Sequence, residues 1–329
     1  MSNKAKVVIT DYVWETLDVE ERLLGDLATL NPMKVKTEDA FLDAAEDCDA
    51  LLNTYAGPIT ERSMARMGNC KIIARYGIGV DTIDLDAATE AGIIVTNNPS
   101  YCVEEVADHA MALLLSAARK TAYLDRRVRA GHWAVMDARP LRRLSTTTIG
   151  LIGYGNIARE MAKRAAGFGM EVLWSDPFVE EGNFDTPGRK VSLDELYASA
   201  DFISVHAPLV PSTRGLLGAD AFRAMKPSAV VVNCSRGPII DTAALVAALD
   251  AGEIAGAALD TTDPEPLPQD NPLHGRDNVI LNPHAAWYSV EAFEGLQHGA
   301  PGEVARVLRG ERPVNIVNPG VLGRSRAGL

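Results

Sequence analysis

The chain has 329 residues, 47% hydrophobic and 23% charged, with a formal net charge of −12. That length suits two globular domains, and the acidic balance argues against a nucleic-acid backbone or an anionic membrane as the main partner. Its four cysteines, Cys48, Cys70, Cys102 and Cys234, are scattered without a CxxC pair or a metal-like spacing to histidine. No metal site is therefore expected, and a reducing cytoplasm is the expected compartment.

The opening residues lead straight into a strand at 7–9, so no secretory signal is read there, and the longest apolar stretch, near 110–118, is too short to span a bilayer. Residues 1–99 alternate short strands (7–10, 50–52, 72–74, 93–96) with helical patterns such as 60–67 and 85–90, which predicts a small parallel α/β domain. After Asn97-Asn98-Pro99-Ser100 the stretch 103–130 reads as one long helix, and 131–145 as irregular and basic. Strands and helices alternate again from 148 to about 281. In the tail, a helix is expected over 302–308, followed by an extended end that returns to the first domain.

Gly153-Tyr154-Gly155-Asn156-Ile157-Ala158 carries the strongest signal, because of its flanks. An apolar strand at 148–152 precedes it, a helix over 156–168 follows, and a second strand ends at Asp176, 23 positions after Gly153. In such a βαβ unit Gly153 makes the tight turn, and Gly155 lets backbone amides at the helix start, Asn156 and Ile157, approach a pyrophosphate. Ala158 is small enough for helix–strand packing. Asp176 is placed to accept hydrogen bonds from ribose hydroxyls and to repel a 2′-phosphate, and no Arg or Lys lies in 177–181 to reverse that preference. The cofactor expected is NAD.

Ligands of an open parallel sheet lie beyond the carboxyl ends of its strands. His206, Arg236, Asp260, Glu265 and His284 each follow a predicted strand of the second half. Arg236 suits a substrate carboxylate, which a planar guanidinium grips better than an ammonium. His284 suits proton transfer to a carbonyl oxygen, and a carboxylate such as Glu265 beside it favours its charged form and orients the ring. Singly, each has an ordinary reading as a salt-bridge, loop or capping residue. Their placement on one sheet edge favours hydride transfer with a 2-oxo or 2-hydroxy acid.

The chain resembles the D-isomer-specific 2-hydroxyacid dehydrogenases over nearly its whole length, with a phosphoglycerate-dehydrogenase-like layout. The matching segments are Arg75-Tyr76-Gly77-Ile78-Gly79-Val80-Asp81, Glu104 to His109, the glycine motif, Asn233-Cys234-Ser235-Arg236-Gly237, Ala258-Leu259-Asp260, Asp263 to Leu267 and Asn282 to Ala286. The resemblance implies two Rossmann-like domains with parallel sheets. One is a flavodoxin-like substrate domain (1–99 with 297–329), the other a doubly wound NAD-binding domain (100–296) with a dimerisation arm at about 103–147. It implies that Arg236 binds the substrate, His284 is the acid/base and Glu265 tunes it. Asp260 would hold the nicotinamide carboxamide, while His206 and the Cys234 backbone would line the cofactor groove. The amides of Gly77, Ile78 and Gly79 would meet the substrate, and a homodimer is expected.

Two departures stand out. Thr261-Thr262 replace the Val-Phe usual in the family, and His284-Ala285-Ala286-Trp287-Tyr288-Ser289 resembles the C-terminal-binding-protein branch. In that branch the tryptophan lines the pocket, so Trp287 implies a bulky side chain on the 2-oxo acid, the ordinary alternative being that it fills the core. Tyr55 is a further candidate for that pocket, or an ordinary strand-end aromatic. The alternative function is an NAD(H)-sensing interaction protein of the corepressor type. Formate dehydrogenases of this fold carry Gln where Glu265 stands, and L-type lactate or malate dehydrogenases begin with the glycine motif, so neither fits.

Overall fold

The computed structural model describes residues 4–182 and 184–329, which divide into two compact units, one of residues 4–101 with 289–329 and one of 102–288. Unit 1 begins with β1 (Ala5–Ile9), α1 (Asp18–Leu24), β2 (Ala28–Pro32), α2 (Glu38–Ala45), β3 (Ala50–Asn53), α3 (Glu61–Arg66), β4 (Ile72–Arg75), α4 (Leu85–Glu90) and β5 (Ile94–Thr96). The five strands form a parallel sheet in the order β2-β1-β3-β4-β5, which is the flavodoxin-like order expected. Strands such as Ala50–Asn53 and Ile72–Arg75 are buried throughout, as parallel strands covered on both faces must be. The sequence reading missed β2, whose Asn31-Pro32 end lacks a strand-like pattern.

Unit 2 opens with α5 (Val103–Arg119) and α6 (Thr121–Arg129). The single helix expected over 103–130 is thus two. Lys120 takes a left-handed conformation (φ 53°) and its N–H caps the carbonyls of Ser116 and Ala117, ending α5 without a glycine. Then come β6 (Thr148–Ile152), α7 (Asn156–Gly167), β7 (Glu171–Ser175), β8 (Arg189–Lys190), α8 (Leu193–Ser199), β9 (Phe202–Val205), α9 (Ala219–Ala224), β10 (Val230–Asn233), α10 (Thr242–Ala251), β11 (Gly256–Leu259) and β12 (Val279–Leu281). Its sheet is parallel, in the order β12-β11-β10-β9-β6-β7-β8. The order reverses between β6 and β9, and there the doubly wound fold opens a crevice for a nucleotide. Below the crevice, Ile203, Val205, Phe222, Val231 and Ile239 belong to one buried apolar cluster.

The chain returns to unit 1 with α11 (Val290–Leu308), capped by the Ser289 side chain on the Ala292 amide. This helix runs through the expected 296/297 boundary and through Pro301, just before residue 302 where the tail helix was expected to begin. Pro301 removes only the N–H that would reach Gln297, and its fixed φ is helical, so packing of the buried Ala300, Pro301 and Val304 carries the helix through. The tail then docks on unit 1, where Asn318 accepts from the Val95 amide (2.8 Å) and donates to Ile93 O (2.9 Å). No helix among the described residues is long and apolar enough to cross a membrane.

Candidate active site

The glycine motif sits at the switch point of unit 2. Gly153 has φ 87°, and a Cβ there would come within 2.8 Å of the Ala207 nitrogen, so the turns after β6 and β9 touch backbone to backbone. A Cβ on Gly155 would meet only open space, and no side chain caps the start of α7. The first-turn amides around Asn156 and Ile157 are therefore presented outward, as an anionic pyrophosphate requires.

Asp176 closes this arrangement. Its Oδ2 accepts the Tyr154 amide and its Oδ1 the Phe178 amide, both at 2.8 Å. That fixes the carboxylate at the end of β7 with lone pairs still available to ribose hydroxyls. The Tyr154 side chain is buried and stacks on Trp174 (4.2 Å between centroids, 7° between planes), while its hydroxyl donates to Pro187 O at 2.7 Å. The variable position between the two glycines thus anchors the turn to the segment beyond Asp176. Glycine turn, uncapped helix start and fixed acid together fit NAD.

His206 follows β9 and its Nε2 lies 2.9 Å from Ser204 Oγ. Burial lowers its pKa to about 4, so the ring is neutral at working pH. Cys234 follows β10, and burial, then Asp260, push its thiol well up, leaving its backbone as the useful part. The turn carrying Arg236 is folded by Asn233, a buried side chain that donates to Arg236 O (2.9 Å) and accepts from the Ser235 amide (3.0 Å). Gly237 makes a close approach possible, since a Cβ there would lie 1.9 Å from Thr262 O. The Arg236 turn is thereby pressed against the loop that carries Glu265.

Glu265 Oε2 lies 2.9 Å from His284 Nδ1, and its Oε1 accepts the Thr262 amide at 3.1 Å. The unusual Thr261-Thr262 pair thus supplies a backbone donor that fixes the carboxylate. With Nδ1 held by Glu265, the other ring nitrogen, Nε2, is the one that can exchange a proton. His284 itself has φ 55° and its N–H donates to Asp260 O at 2.8 Å. The Asp260 carboxylate, fully buried, accepts the amides of Ala285 and Ala286, each at 2.9 Å, with His109 Nε2 3.5 Å from Oδ1. Burial raises the Asp260 carboxyl, but His109 and the two amides outweigh it and hold the group below its ordinary value. Asp260 therefore clamps the left-handed turn that aims His284. Trp287 ends that turn, edge-on to Tyr288 at 5.6 Å.

Unit 1 gathers its own candidates at the carboxyl edge of its sheet. Tyr55 is half exposed, its amide donates to Asp11 Oδ2 (2.6 Å), and the Arg75 guanidinium stands 5.7 Å from its ring centre. Gly77 has φ 150° and its N–H donates to Arg75 O, and Ile78 and Gly79 carry the segment's next two amides. Asn97 Nδ2 holds Ile78 O (2.7 Å) and the Asn98 amide holds Gly77 O (2.9 Å), so both carbonyls are turned to the protein. His109 and Arg75 lay within matching segments of the sequence, yet nothing in their spacing assigned them a role. Their partners come from strands distant in sequence.

Residues 111–286 match the D-isomer specific 2-hydroxyacid dehydrogenase, NAD binding domain. A glyoxylate reductase of Korarchaeum cryptofilum is 37% identical, covering 94% of this chain and 96% of its own. A D-3-phosphoglycerate dehydrogenase of Methanocaldococcus jannaschii is 36% identical over 95% of this chain, which spans only 59% of that larger protein. Among solved structures, D-lactate dehydrogenase from Aquifex aeolicus, complexed with NAD and lactic acid, superposes with a TM-score of 0.88 at 27% identity, covering 95% of this chain and 99% of that one. The chain belongs to the D-isomer-specific 2-hydroxyacid dehydrogenase family and is an NAD-dependent oxidoreductase acting on CH–OH groups.

Proposed function

We propose that the protein interconverts a 2-oxo acid with a sizeable side chain and the corresponding D-2-hydroxy acid, with Arg236, Glu265 and His284 as its catalytic residues. The observation that carries this reading is the 2.9 Å contact between Glu265 and His284, on the sheet edge that also bears Arg236. When bound, NAD supplies or accepts the hydride at C2 of the acid. Arg236 grips the substrate carboxylate through its planar fork. His284 Nε2 gives a proton to the carbonyl oxygen in reduction and takes it from the hydroxyl in oxidation, while Glu265 stabilises the charged ring. Asp260 orients the carboxamide of the cofactor, Asp176 its ribose, and His206 and the Cys234 backbone border it. The Ile78 and Gly79 amides, with Tyr55, contribute from unit 1.

Relatives named glyoxylate reductase take their name from the smallest 2-oxo acid. Trp287 and its neighbour Tyr288 support a larger one here, because aromatic walls gain most from burying an apolar substituent. The test is NADH oxidation against a series of 2-oxo acids, from glyoxylate and pyruvate through hydroxypyruvate to phenylpyruvate and 4-methylthio-2-oxobutyrate. Strongest turnover of a large member supports the reading. Strongest turnover of glyoxylate overturns the size preference, and tight NADH binding without turnover of any acid turns attention to an NADH-sensing role.

A homodimer built on the segment 103–147 is part of the same proposal. Trp133, Val135, Met136 and Leu141 expose apolar side chains on that segment, Trp133 at 89%. Large apolar side chains exposed within one short segment favour a surface that a partner covers. Beside it, a cavity of about 690 Å³ lined by Tyr123, Pro140, Leu144 and Ile280 lies at the amino ends of the unit 2 strands, away from the catalytic edge. Light scattering on the purified protein tests this, with a monomer as the contrary result. The four buried free thiols accord with a cytoplasmic setting.

A further inference from the structure

Behind the Gly77–Gly79 segment lies a buried carboxylic acid that the proposed chemistry does not use. Glu20, in the first turn of α1, is fully buried, and the Tyr76 hydroxyl donates to its Oε1 at 3.0 Å. Trp14 packs edge-on against the Tyr76 ring, 4.8 Å between centroids, and against Phe293 of α11 at 5.8 Å. Its indole N–H faces the Glu20 carboxyl from outside hydrogen-bond geometry, and burial raises that carboxyl above its ordinary value by more than Tyr76 and Trp14 lower it. Burial pushes the Tyr76 hydroxyl well above its ordinary value, so it stays protonated and can donate to Glu20. An acid enclosed this way needs a reason, because a buried carboxylate costs stability unless its partners are well placed.

The reason lies in what Tyr76 joins. Its amide donates to Asn53 O at the end of β3 (2.8 Å) and its carbonyl accepts from the Arg75 guanidinium. Its ring runs inward to Glu20, and its backbone continues directly into Gly77, Ile78 and Gly79. Gly77 could not carry a side chain comfortably, since a Cβ would stand 3.2 Å from Arg75 Nη1 at a φ of 150°. Tethers hold this segment from two directions. Asn97 and Asn98 hold its carbonyls from one side, and the Tyr76–Glu20 bond holds its start from beneath.

We infer that Glu20, acting through the Tyr76 hydroxyl, is a positioning residue that sets the Ile78 and Gly79 amides for the substrate. This deepens the proposed function and rests on it, because it takes those amides to be substrate donors. The arrangement needs an acceptor at Glu20 Oε1 and a donor at Tyr76, not a charge that moves. Glutamine at position 20 keeps an acceptor of the same reach, so it should preserve the tether. Phenylalanine at position 76 keeps the ring and its packing while deleting the donor.

The experiment compares Tyr76→Phe, Glu20→Gln and the double variant Glu20→Leu/Tyr76→Phe with the parent protein. Tyr76→Phe should raise KM for the best 2-oxo acid about tenfold, with kcat within about twofold and NADH affinity unchanged. Glu20→Gln should stay within about twofold of the parent, and the double variant should be little worse than Tyr76→Phe alone, as expected for one shared interaction. In parallel, hydrogen exchange over 77–79 should quicken in Tyr76→Phe but not in Glu20→Gln. A folded Tyr76→Phe with parental KM and parental exchange overturns the inference, as does equal loss of kcat and NADH binding. If the parent turns over no 2-oxo acid, the proposed function fails, and the exchange comparison still decides whether Glu20 and Tyr76 hold the segment.

Discussion

His284 Nδ1 and Glu265 Oε2 meet at 2.9 Å although two different strand ends deliver them, Glu265 beyond β11 and His284 beyond β12. Each partner is fixed from a second direction, Glu265 by the Thr262 amide and the His284 turn by the Asp260 carboxylate. The pair is thus preorganised, and its chemistry is decided at the other ring nitrogen, Nε2.

Glu265→Gln keeps a hydrogen-bond acceptor but removes the charge that stabilises imidazolium. The expected result is a fall in kcat of about 10–10²-fold with NADH affinity unchanged, and steady-state kinetics with a binding titration checks it. An unchanged kcat would remove Glu265 from the proton transfer.

Arg236→Lys should lower kcat/KM by at least about 10²-fold, because an ammonium cannot reproduce two parallel bonds to a carboxylate. Measured against the best 2-oxo acid, a loss below about threefold would mean that the carboxylate is anchored elsewhere.

Asp176→Ala should narrow the preference for NADH over NADPH by about tenfold or more, mainly by weakening NADH binding. The same change frees the Tyr154 amide, so a small loss of affinity for both cofactors is expected as well. A cofactor ratio equal to that of the parent would assign the preference to another residue.

Gly237→Ala should cost more than about 2 kcal/mol, because a Cβ placed 1.9 Å from Thr262 O forces two catalytic turns apart. Denaturant unfolding measures the loss, and activity should fall further than stability, since Arg236 and Glu265 ride on those two turns. A stable, active Gly237→Ala protein would contradict the geometry.

His206 gives a pH prediction with a definite sign. Its folded-state pKa is depressed to about 4 by burial, against an ordinary value of about 6.5. Its contribution to stability is therefore fully present above about pH 6.5 and is lost as pH falls toward 4, by up to about 3 kcal/mol. Unfolding free energies of the parent and His206→Gln at neutral pH and near pH 4.5 should differ by that trend, the parent losing more. Parallel losses would show that the ring is hydrated and titrates ordinarily.

Much of this site was legible in the chain because local rules and tertiary context agree there. The βαβ unit around Gly153 and Asp176 shows glycine turn, helix start and acid within one short stretch, and strand ends announce His206, Arg236 and His284. What stayed hidden depends on atoms brought from afar. The break at Lys120 uses a left-handed residue that no glycine marks, and α11 passes through Pro301 because packing outweighs one missing donor. The need for glycine at 237 appears only when Thr262 lies against it, and the Glu20–Tyr76 tether spans 56 residues.

The role of His284 is tested most directly by the kinetics of His284→Ala with the best 2-oxo acid, read beside NADH affinity in the same preparation. Turnover should fall by at least about 10³-fold while the Kd for NADH stays within about threefold. Turnover near the parental rate, or equal loss of turnover and NADH binding, would contradict the assignment of His284 as the proton-transferring residue.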